Sequence, residues 1–143
     1  MKTFTLTQAE AVLPILRREM ATLQPVYRNL RKRYAELARS RGISLEDPKL
    51  RDVCLEDAGI RALFLQVEES LCLFQALGVE CKGIEQGIFD FPCLLEDRMV
   101  FLCWQADEDA IAHWHELDTD YDARKPLFEA CRLGSPLESR LPN

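Results

Sequence analysis

The sequence contains no apolar run near the roughly 18 residues of a membrane-spanning helix, and its first ten residues lack the apolar core of a signal peptide. We therefore expect a cytoplasmic protein with no membrane segment. No two of its six cysteines are spaced as Cys-x-x-Cys. In a reducing compartment this pattern predicts free thiols that behave as small buried hydrophobic groups, and no disulfides.

Catalytic motifs are missing as well. The sequence has no Gly-x-Ser-x-Gly elbow, no P-loop, no Rossmann glycine set and no His-Glu-x-x-His pair, so no motif indicates a reaction. What is present is globular composition. The 143 residues, 48% hydrophobic and 29% charged, predict a single domain over 1–143.

Positive charge is concentrated in the first third of the chain. Residues 1–44 hold nine Lys and Arg against three acids, whereas 45–143 hold nine against 21. The net charge of −6 makes a general nucleic-acid binder unlikely, since such binding neutralises phosphates with basic groups. The basic end of the first predicted helix is expected to be a solvated coiled-coil face, and contact with an acidic protein partner is the alternative. It carries Arg28, Arg31, Lys32, Arg33, Arg39 and Arg41.

Two long helices are predicted in the first half of the chain. The first covers 7–41, begins at a capping box formed by Thr7 and Glu10, and stops at Gly42. Its apolar seam follows a 3-4 spacing over more than three heptads: Leu13, Leu16, Met20, Leu23, Tyr27, Leu30, Tyr34 and Leu37. The second helix covers 47–77. A short connection then predicts an antiparallel, coiled-coil-like hairpin.

The second helix has two features that the seam does not explain. Asp57 interrupts its seam, and we expect this carboxylate to bond a tyrosine hydroxyl or Arg31. A second apolar stripe runs along the same helix through Cys54, Ala58, Ala62, Leu65, Cys72 and Ala76. A two-helix hairpin cannot cover this stripe. We therefore expect the chain to form a homodimer, with the two hairpins joined in a four-helix bundle.

The second half of the chain changes to a two-residue period. Three short strands are predicted within 79–105, and they form a small antiparallel sheet. An acidic loop and a short helical segment follow over 106–133, with the helix at Lys125–Leu133, and 134–143 is a loose tail. The predicted fold class is α+β.

Four segments of this half carry a family resemblance, and they follow one another as Lys82–Pro92, Arg98–Trp104, Glu108–Glu116 and Tyr121–Leu127. Together with the opening segment Phe4–Pro14, they resemble the prokaryotic domain of unknown function family 2203. The resemblance covers nearly the whole chain. It implies a shared fold and no particular reaction, because the family has no established activity.

The polar residues of these segments form the candidate ligand-binding site. They are Glu85, Asp90, Arg98, Trp104, Glu108, His115 and Arg124. Three uses are compatible with this set. The carboxylates and the imidazole could bind a divalent metal, with Glu85, Asp90 and His115 as its candidate ligands. The arginines could bind an anion, or the residues could form ion pairs alone. We predict a non-catalytic interaction or ligand-binding module that self-associates. The alternative is a metal- or anion-binding enzyme with a cleft on the sheet.

Two further sequence patterns resemble metal-binding motifs. On a strand, His113 and His115 would share a face and could bind zinc together, with Cys103 as the nearby thiolate. On a helix they would diverge, and the acidic turn before them favours the helix. The segment that starts at Asp118 resembles a calcium loop with Glu129 at its twelfth position. However, its sixth position is Ala123 where such loops need glycine, so a solvated loop is expected.

Overall fold

The computed structural model describes residues 2–127, which form three helices and five strands. The helices are α1 (Leu6–Arg41), α2 (Lys49–Leu55) and α3 (Ala58–Leu77). The strands are β1 (Glu80–Gly83), β2 (Ile88–Leu95), β3 (Arg98–Gln105), β4 (His113–Glu116) and β5 (Lys125–Pro126). The α+β class is therefore confirmed. None of the helices in this described part of the chain is both long and apolar enough to cross a bilayer.

Helix α1 begins at a different capping box from the predicted one. The Thr5 hydroxyl accepts a hydrogen bond from the Gln8 amide at 3.0 Å, and the Gln8 side chain accepts one from the Thr5 amide at 2.9 Å. This reciprocal pair satisfies two backbone donors at the helix start. The helix continues through both of its prolines and ends at Gly42, whose φ of 65° suits glycine.

The predicted second helix is two helices, and Asp57 is where they separate. Its carboxylate accepts a hydrogen bond from the Ile60 amide at 3.0 Å, so Asp57 is the N-cap of α3. Arg33 lies 3.4 Å away, in place of the predicted Arg31 or a tyrosine. The seam keeps its phase across this break, which explains why periodicity alone predicted one helix.

Helices α1 and α3 contact each other along their lengths. Arg33, late in α1, meets Asp57 before α3, whereas Glu19, early in α1, accepts a hydrogen bond from Ser70 at 2.7 Å. The contacts therefore run in opposite order along the two helices. With α2 inserted between them, the described residues form three α-helices before the sheet where two were predicted, and a short 3-10 helix follows at Tyr121–Ala123.

The sheet has five strands in the order β1-β2-β3-β4-β5, and every neighbouring pair is antiparallel. The first three lie in the region predicted for the sheet. The other two correct the prediction of an acidic loop and helix over 106–133, since 113–116 and 125–126 are strands. The rest of the predicted helix beyond Leu127, and the predicted tail 134–143, lie outside the described residues.

Side chains alternate between the two faces of this sheet. On the face toward the helices, the Phe89 ring packs edge-on against Phe74 with ring centroids 4.9 Å apart, and Phe4 packs against Phe91 at 5.4 Å. Trp104, paired with Phe89, completes this side of the core. The opposite face, which we call the polar face, carries Asp90, Phe101, Cys103, His113 and His115.

A tight turn sets which residues share a face. Glu96 and Asp97 connect β2 to β3 with positive φ values of 49° and 61°, as in the two-residue turns that match the twist of a hairpin. The resulting register places Asp90 opposite Cys103. In the next pair of strands, Cys103 lies opposite His113 and Phe101 opposite His115.

Candidate functional site

Three buried side chains from adjacent strands converge on the polar face. Asp90 comes from β2, Cys103 from β3 and His115 from β4, and each is at most 2% exposed. One carboxylate oxygen, the thiol sulfur and one ring nitrogen lie within 4.8 Å of one another. The closest approach joins His115 Nε2 to Asp90 Oδ2 at 3.0 Å.

The protonation of His115 follows from its other ring nitrogen. Nδ1 lies 2.8 Å from the backbone carbonyl oxygen of Glu116, and a carbonyl can only accept. Nδ1 therefore carries a proton, and in the neutral ring Nε2 is a bare lone pair. This lone pair faces a carboxylate oxygen, which is an acceptor too.

The Asp90–His115 contact is close without being a well-formed hydrogen bond. Among residues 2–127, His115 Nε2 and Asp90 Oδ1 have no hydrogen-bond partner although both atoms are buried. Burial raises the pKa of Asp90, and the adjacent His115 opposes that rise. A buried acceptor without a donor is costly, so this group of atoms calls for a cation or a proton between its members.

Cys103 is not a nucleophile in this environment. Burial and the neighbouring Asp90 together raise the pKa of its thiol to about 12, so the sulfur stays protonated at neutral pH. Since a thiolate is the reactive form of cysteine, the cluster does not fit a Cys–His catalytic pair.

A second polar cluster borders the first. Both guanidinium nitrogens of Arg124 donate to the Glu108 carboxylate at 3.1 Å, and Arg124 also donates to the Tyr121 hydroxyl at 3.1 Å. Tyr121 in turn donates to the Gln105 side chain at 2.7 Å. The guanidinium acts on the Cys103 thiol and lowers its pKa, against the larger effect of burial. The two clusters therefore form one continuous network.

An open cavity of about 540 Å³ lies over the polar face. Asp90 and Phe101 belong to its sheet side, Gln105 and Lys82 to its rim, and the loop over 117–122 to its outer wall. The carboxylate of Asp90 thus connects the buried cluster with solvent-accessible space. Such a concave site with a few converging polar groups is typical of small-ligand binding.

The charges around this cavity are unevenly compensated. Lys82 is paired with Glu80 at 2.8 Å, outside the lining, and Glu108 pairs with Arg124. Two acids of the outer wall, Asp120 and Asp122, form no ion pair within residues 2–127, although Asp120 accepts a hydrogen bond from the Asp122 amide. The uncompensated charge of the cavity is therefore negative.

Of the candidate residues named from the sequence, four lie in the network just described. They are Asp90, Glu108, His115 and Arg124. The other three lie elsewhere. Glu85 approaches Arg31 at 3.9 Å, and Arg98 pairs with Glu116 at 3.0 Å in an exposed position. Trp104 is buried on the helix side of the sheet and contacts the network through its indole nitrogen, which donates to the Glu108 backbone carbonyl at 3.0 Å. Of the three candidate metal ligands, Asp90 and His115 meet each other and Glu85 does not join them.

From the sequence, Cys103 was named only as a thiolate near His113 and His115 and was not connected with Asp90. Neither Gln105 nor Tyr121 was named as a site residue. A signal for Cys103 was available: folding the two strands about the turn at Glu96 and Asp97 places it opposite Asp90. The two histidines were expected to diverge on a helix, and that expectation is wrong, because β4 puts both on the polar face. The twelfth position of the calcium-like segment, Glu129, lies outside the described residues.

Comparison with known proteins gives a family and no further relative. A family model described as an uncharacterised conserved protein, DUF2203, matches residues 2–127. No curated protein and no solved structure matches the chain.

Proposed function

The chain belongs to the uncharacterised conserved family DUF2203, and from the geometry of its polar face we propose that it is a ligand-binding module that takes a positively charged ligand. The observation that carries this proposal is the Asp90 carboxylate. It is 2% exposed, it borders the open cavity, and its Oδ1 atom has no hydrogen-bond partner among the described residues. A buried acceptor of this kind is stabilised by a cation.

The charges of the cavity support a cation over an anion. The guanidinium of Arg124 is paired with Glu108 and the ammonium of Lys82 with Glu80, so each of these cations already has an acid beside it. The acids Asp120 and Asp122 add negative charge at the outer wall. The protonated state of Cys103 supports binding over covalent catalysis. A metal-binding enzyme with the same cleft is the alternative.

A thermal-shift comparison of cations and anions tests this proposal. The probes are putrescine, Mn²⁺ and Zn²⁺ on one side and inorganic phosphate on the other. We expect at least one cation to raise the melting temperature of the wild type, since a ligand that binds only the folded state stabilises it by mass action. The Asp90→Asn variant should lose that response, and the matched control Asp52→Asn, on α2, should keep it. Stabilisation by phosphate alone, or an unchanged response in Asp90→Asn, would contradict the proposal.

We further propose that the chain self-associates as a homodimer through its helices. Leu65 of α3, which belongs to the second apolar stripe, is 55% exposed, which favours a partner surface over solvent. The basic first helix and the acidic remainder of the chain supply complementary charges for two antiparallel copies.

Light scattering on a sizing column at tens of micromolar protein tests the dimer. The wild type should elute with twice the chain mass, and Leu65→Glu should elute as a monomer. Leu45→Glu, at an equally exposed leucine between α1 and α2, is the matched control and should stay dimeric. A monomeric wild type would refute the proposal.

A further inference from the structure

We infer that the cation bound on the polar face is a transition-metal dication such as Zn²⁺, held by Asp90, Cys103 and His115. This inference rests on the proposed cation-binding function and names the ligand class. It keeps Asp90 and His115 from the candidate metal ligands named from the sequence and leaves out Glu85. It adds Cys103, the thiol expected from the sequence to lie near the histidines. No known motif contains these three residues, since they meet only through the register of three strands.

The first argument is the pair of facing acceptors. In the neutral imidazole, His115 Nε2 is a lone pair because Nδ1 donates to the Glu116 carbonyl, and this nitrogen lies 3.0 Å from Asp90 Oδ2 without hydrogen-bond geometry. A nitrogen and an oxygen that both bind one zinc ion, at about 2.0–2.1 Å each, are about 3.3 Å apart in a tetrahedral site. The observed spacing is therefore close to that of two ligands of one ion.

The second argument is the chemistry of the donors. Thiolate, imidazole and carboxylate together are the ligand set of Zn²⁺ and its neighbours, whereas Mg²⁺ and Ca²⁺ select oxygen alone. One aspartate and one thiolate carry two negative charges, and the neutral imidazole adds none. A dication would therefore make the buried cluster neutral, which removes the cost of burying an unpaired charge.

The third argument is the support around the ligands. The hydrogen bond from Nδ1 to the Glu116 carbonyl orients the imidazole, as a partner of the non-ligating nitrogen does in metal sites. The ion would have three protein ligands, and its remaining position would face the cavity beside Asp90, where water or a further ligand can bind.

Metal binding must release a proton. A cysteine sulfur coordinates a metal as the thiolate, so the thiol proton of Cys103 leaves to solvent when the S–metal bond forms. No oxidant or reductant takes part in this step. Proton release should therefore accompany the titration of the metal-free protein with ZnCl₂ in weak buffer, with at least about one proton per ion.

Titration of the full-length protein with Co²⁺ after dialysis against EDTA tests the inference directly. Sulfur-to-cobalt charge transfer in the near ultraviolet and intense visible bands of four-coordinate Co²⁺ should appear and saturate at one ion per chain. Zn²⁺ should displace the Co²⁺ and bleach both signals. This readout uses the wild type, so it does not depend on the folding of any variant. A Co²⁺ spectrum without the sulfur band would overturn the assignment of Cys103.

Matched cysteine variants assign the sulfur. Cys103→Ser should weaken Co²⁺ binding at least about tenfold and remove the charge-transfer band, as should loss of the imidazole in His115→Gln. Cys93→Ser is the control, because Cys93 is equally buried and its thiol pKa is also raised to about 12 by burial, yet it lies on the helix side of the sheet. It should bind Co²⁺ within about twofold of the wild type. Far-ultraviolet circular dichroism verifies that each variant is folded.

The outcomes separate this inference from the proposed function. If putrescine stabilises the protein through Asp90 and no divalent ion binds, the cation-binding function holds and the metal inference is overturned. If Co²⁺ binds equally well to Cys103→Ser and to the wild type, the ligand set is overturned. If neither kind of cation binds, both proposals fail.

Discussion

Removing the Glu108 carboxylate should destabilise the protein strongly, because this group holds together the outer half of the polar network. It accepts two hydrogen bonds from Arg124 at 3.1 Å and one from the Gln105 amide at 2.8 Å. The side chains of Arg124 and Glu108 are only 15% and 22% exposed. In Glu108→Ala, the guanidinium would remain charged and mostly buried without a carboxylate partner, and only its hydrogen bond to the Tyr121 hydroxyl would remain.

The expected cost follows from these contacts. Breaking a largely buried ion pair by removing one partner costs about 3 kcal/mol. The lost hydrogen bond to the Gln105 amide adds about 1 kcal/mol. We therefore expect Glu108→Ala to lower the free energy of unfolding by about 3–4 kcal/mol, which is a fall of about 10 °C in melting temperature for a chain of this size.

A pair with the same chemistry elsewhere in the sheet supplies the control. Arg98 donates to both carboxylate oxygens of Glu116 at 3.0 and 3.1 Å, but its side chain is 57% exposed. Glu116→Ala should therefore cost less than about 1 kcal/mol. Urea denaturation followed by circular dichroism measures both variants. Equal losses of unfolding free energy in the two variants would refute the inference that burial makes the Glu108–Arg124 pair more stabilising than the Arg98–Glu116 pair.

A double variant separates the pair from its surroundings. Combining Glu108→Ala with Arg124→Met removes the charge that the single substitution leaves unpaired. The double variant should therefore be more stable than Glu108→Ala alone. A further loss of stability on adding Arg124→Met would mean that Arg124 is stabilised by something other than Glu108.

Three other predictions concern the fold. Thr5→Ala should lower the free energy of unfolding by about 1 kcal/mol in urea denaturation, because it removes the capping box of α1, and Thr3→Ala serves as the control. Gly87→Ala should cost more than about 1 kcal/mol in the same assay, because the glycine has a φ of 69° and an added methyl group would lie 2.6 Å from the Ala106 side chain. An Ellman assay on the native protein should modify the exposed Cys72 quickly and leave the buried Cys93 unmodified until denaturant is added, since burial raises the pKa of the latter thiol to about 12. Equal rates for these two thiols would contradict the packing described.

Periodicity predicted the parts of the fold where it is long and uninterrupted. The 3-4 seam located α1 almost to its ends, and the alternation around Phe101 located β3. Periodicity failed to predict a helix boundary where a side chain forms a hydrogen bond with the backbone and ends the helix locally. Asp57 accepts a hydrogen bond from the Ile60 amide and so starts a new helix. The apolar 3-4 spacing continues across this point, so the spacing does not reveal that one helix ends and another begins. Strand β4 is four residues long and follows an acidic turn, so its own sequence carries no strand signal strong enough to outweigh that turn.

The candidate site was predictable only in part for a related reason. Glu108 and Arg124 are two of the candidate residues taken from the family resemblance, and ion pairing between such residues was one of the three uses considered for the set. The meeting of Asp90, Cys103 and His115 depends on the register of two strand pairs at once. A shift of one residue in either pair would separate them. Register is a property of the assembled sheet, so hydrophobic patterning alone could not specify it.

Along β2 and β3, residues of the polar face alternate with residues of the core. This alternation limits which sequence changes can alter the ligand preference of the site. Asp90 and Cys103 are each flanked along the chain by residues of the hydrophobic core. An inserted or deleted residue in β2 or β3 would turn those core side chains toward solvent and disrupt the fold. Selection should therefore remove such insertions and deletions. Ligand preference in related chains should therefore diverge by substitution on the strands and by changes of length in the loop over 117–122. Lineages with different ligands are expected to keep equal strand lengths.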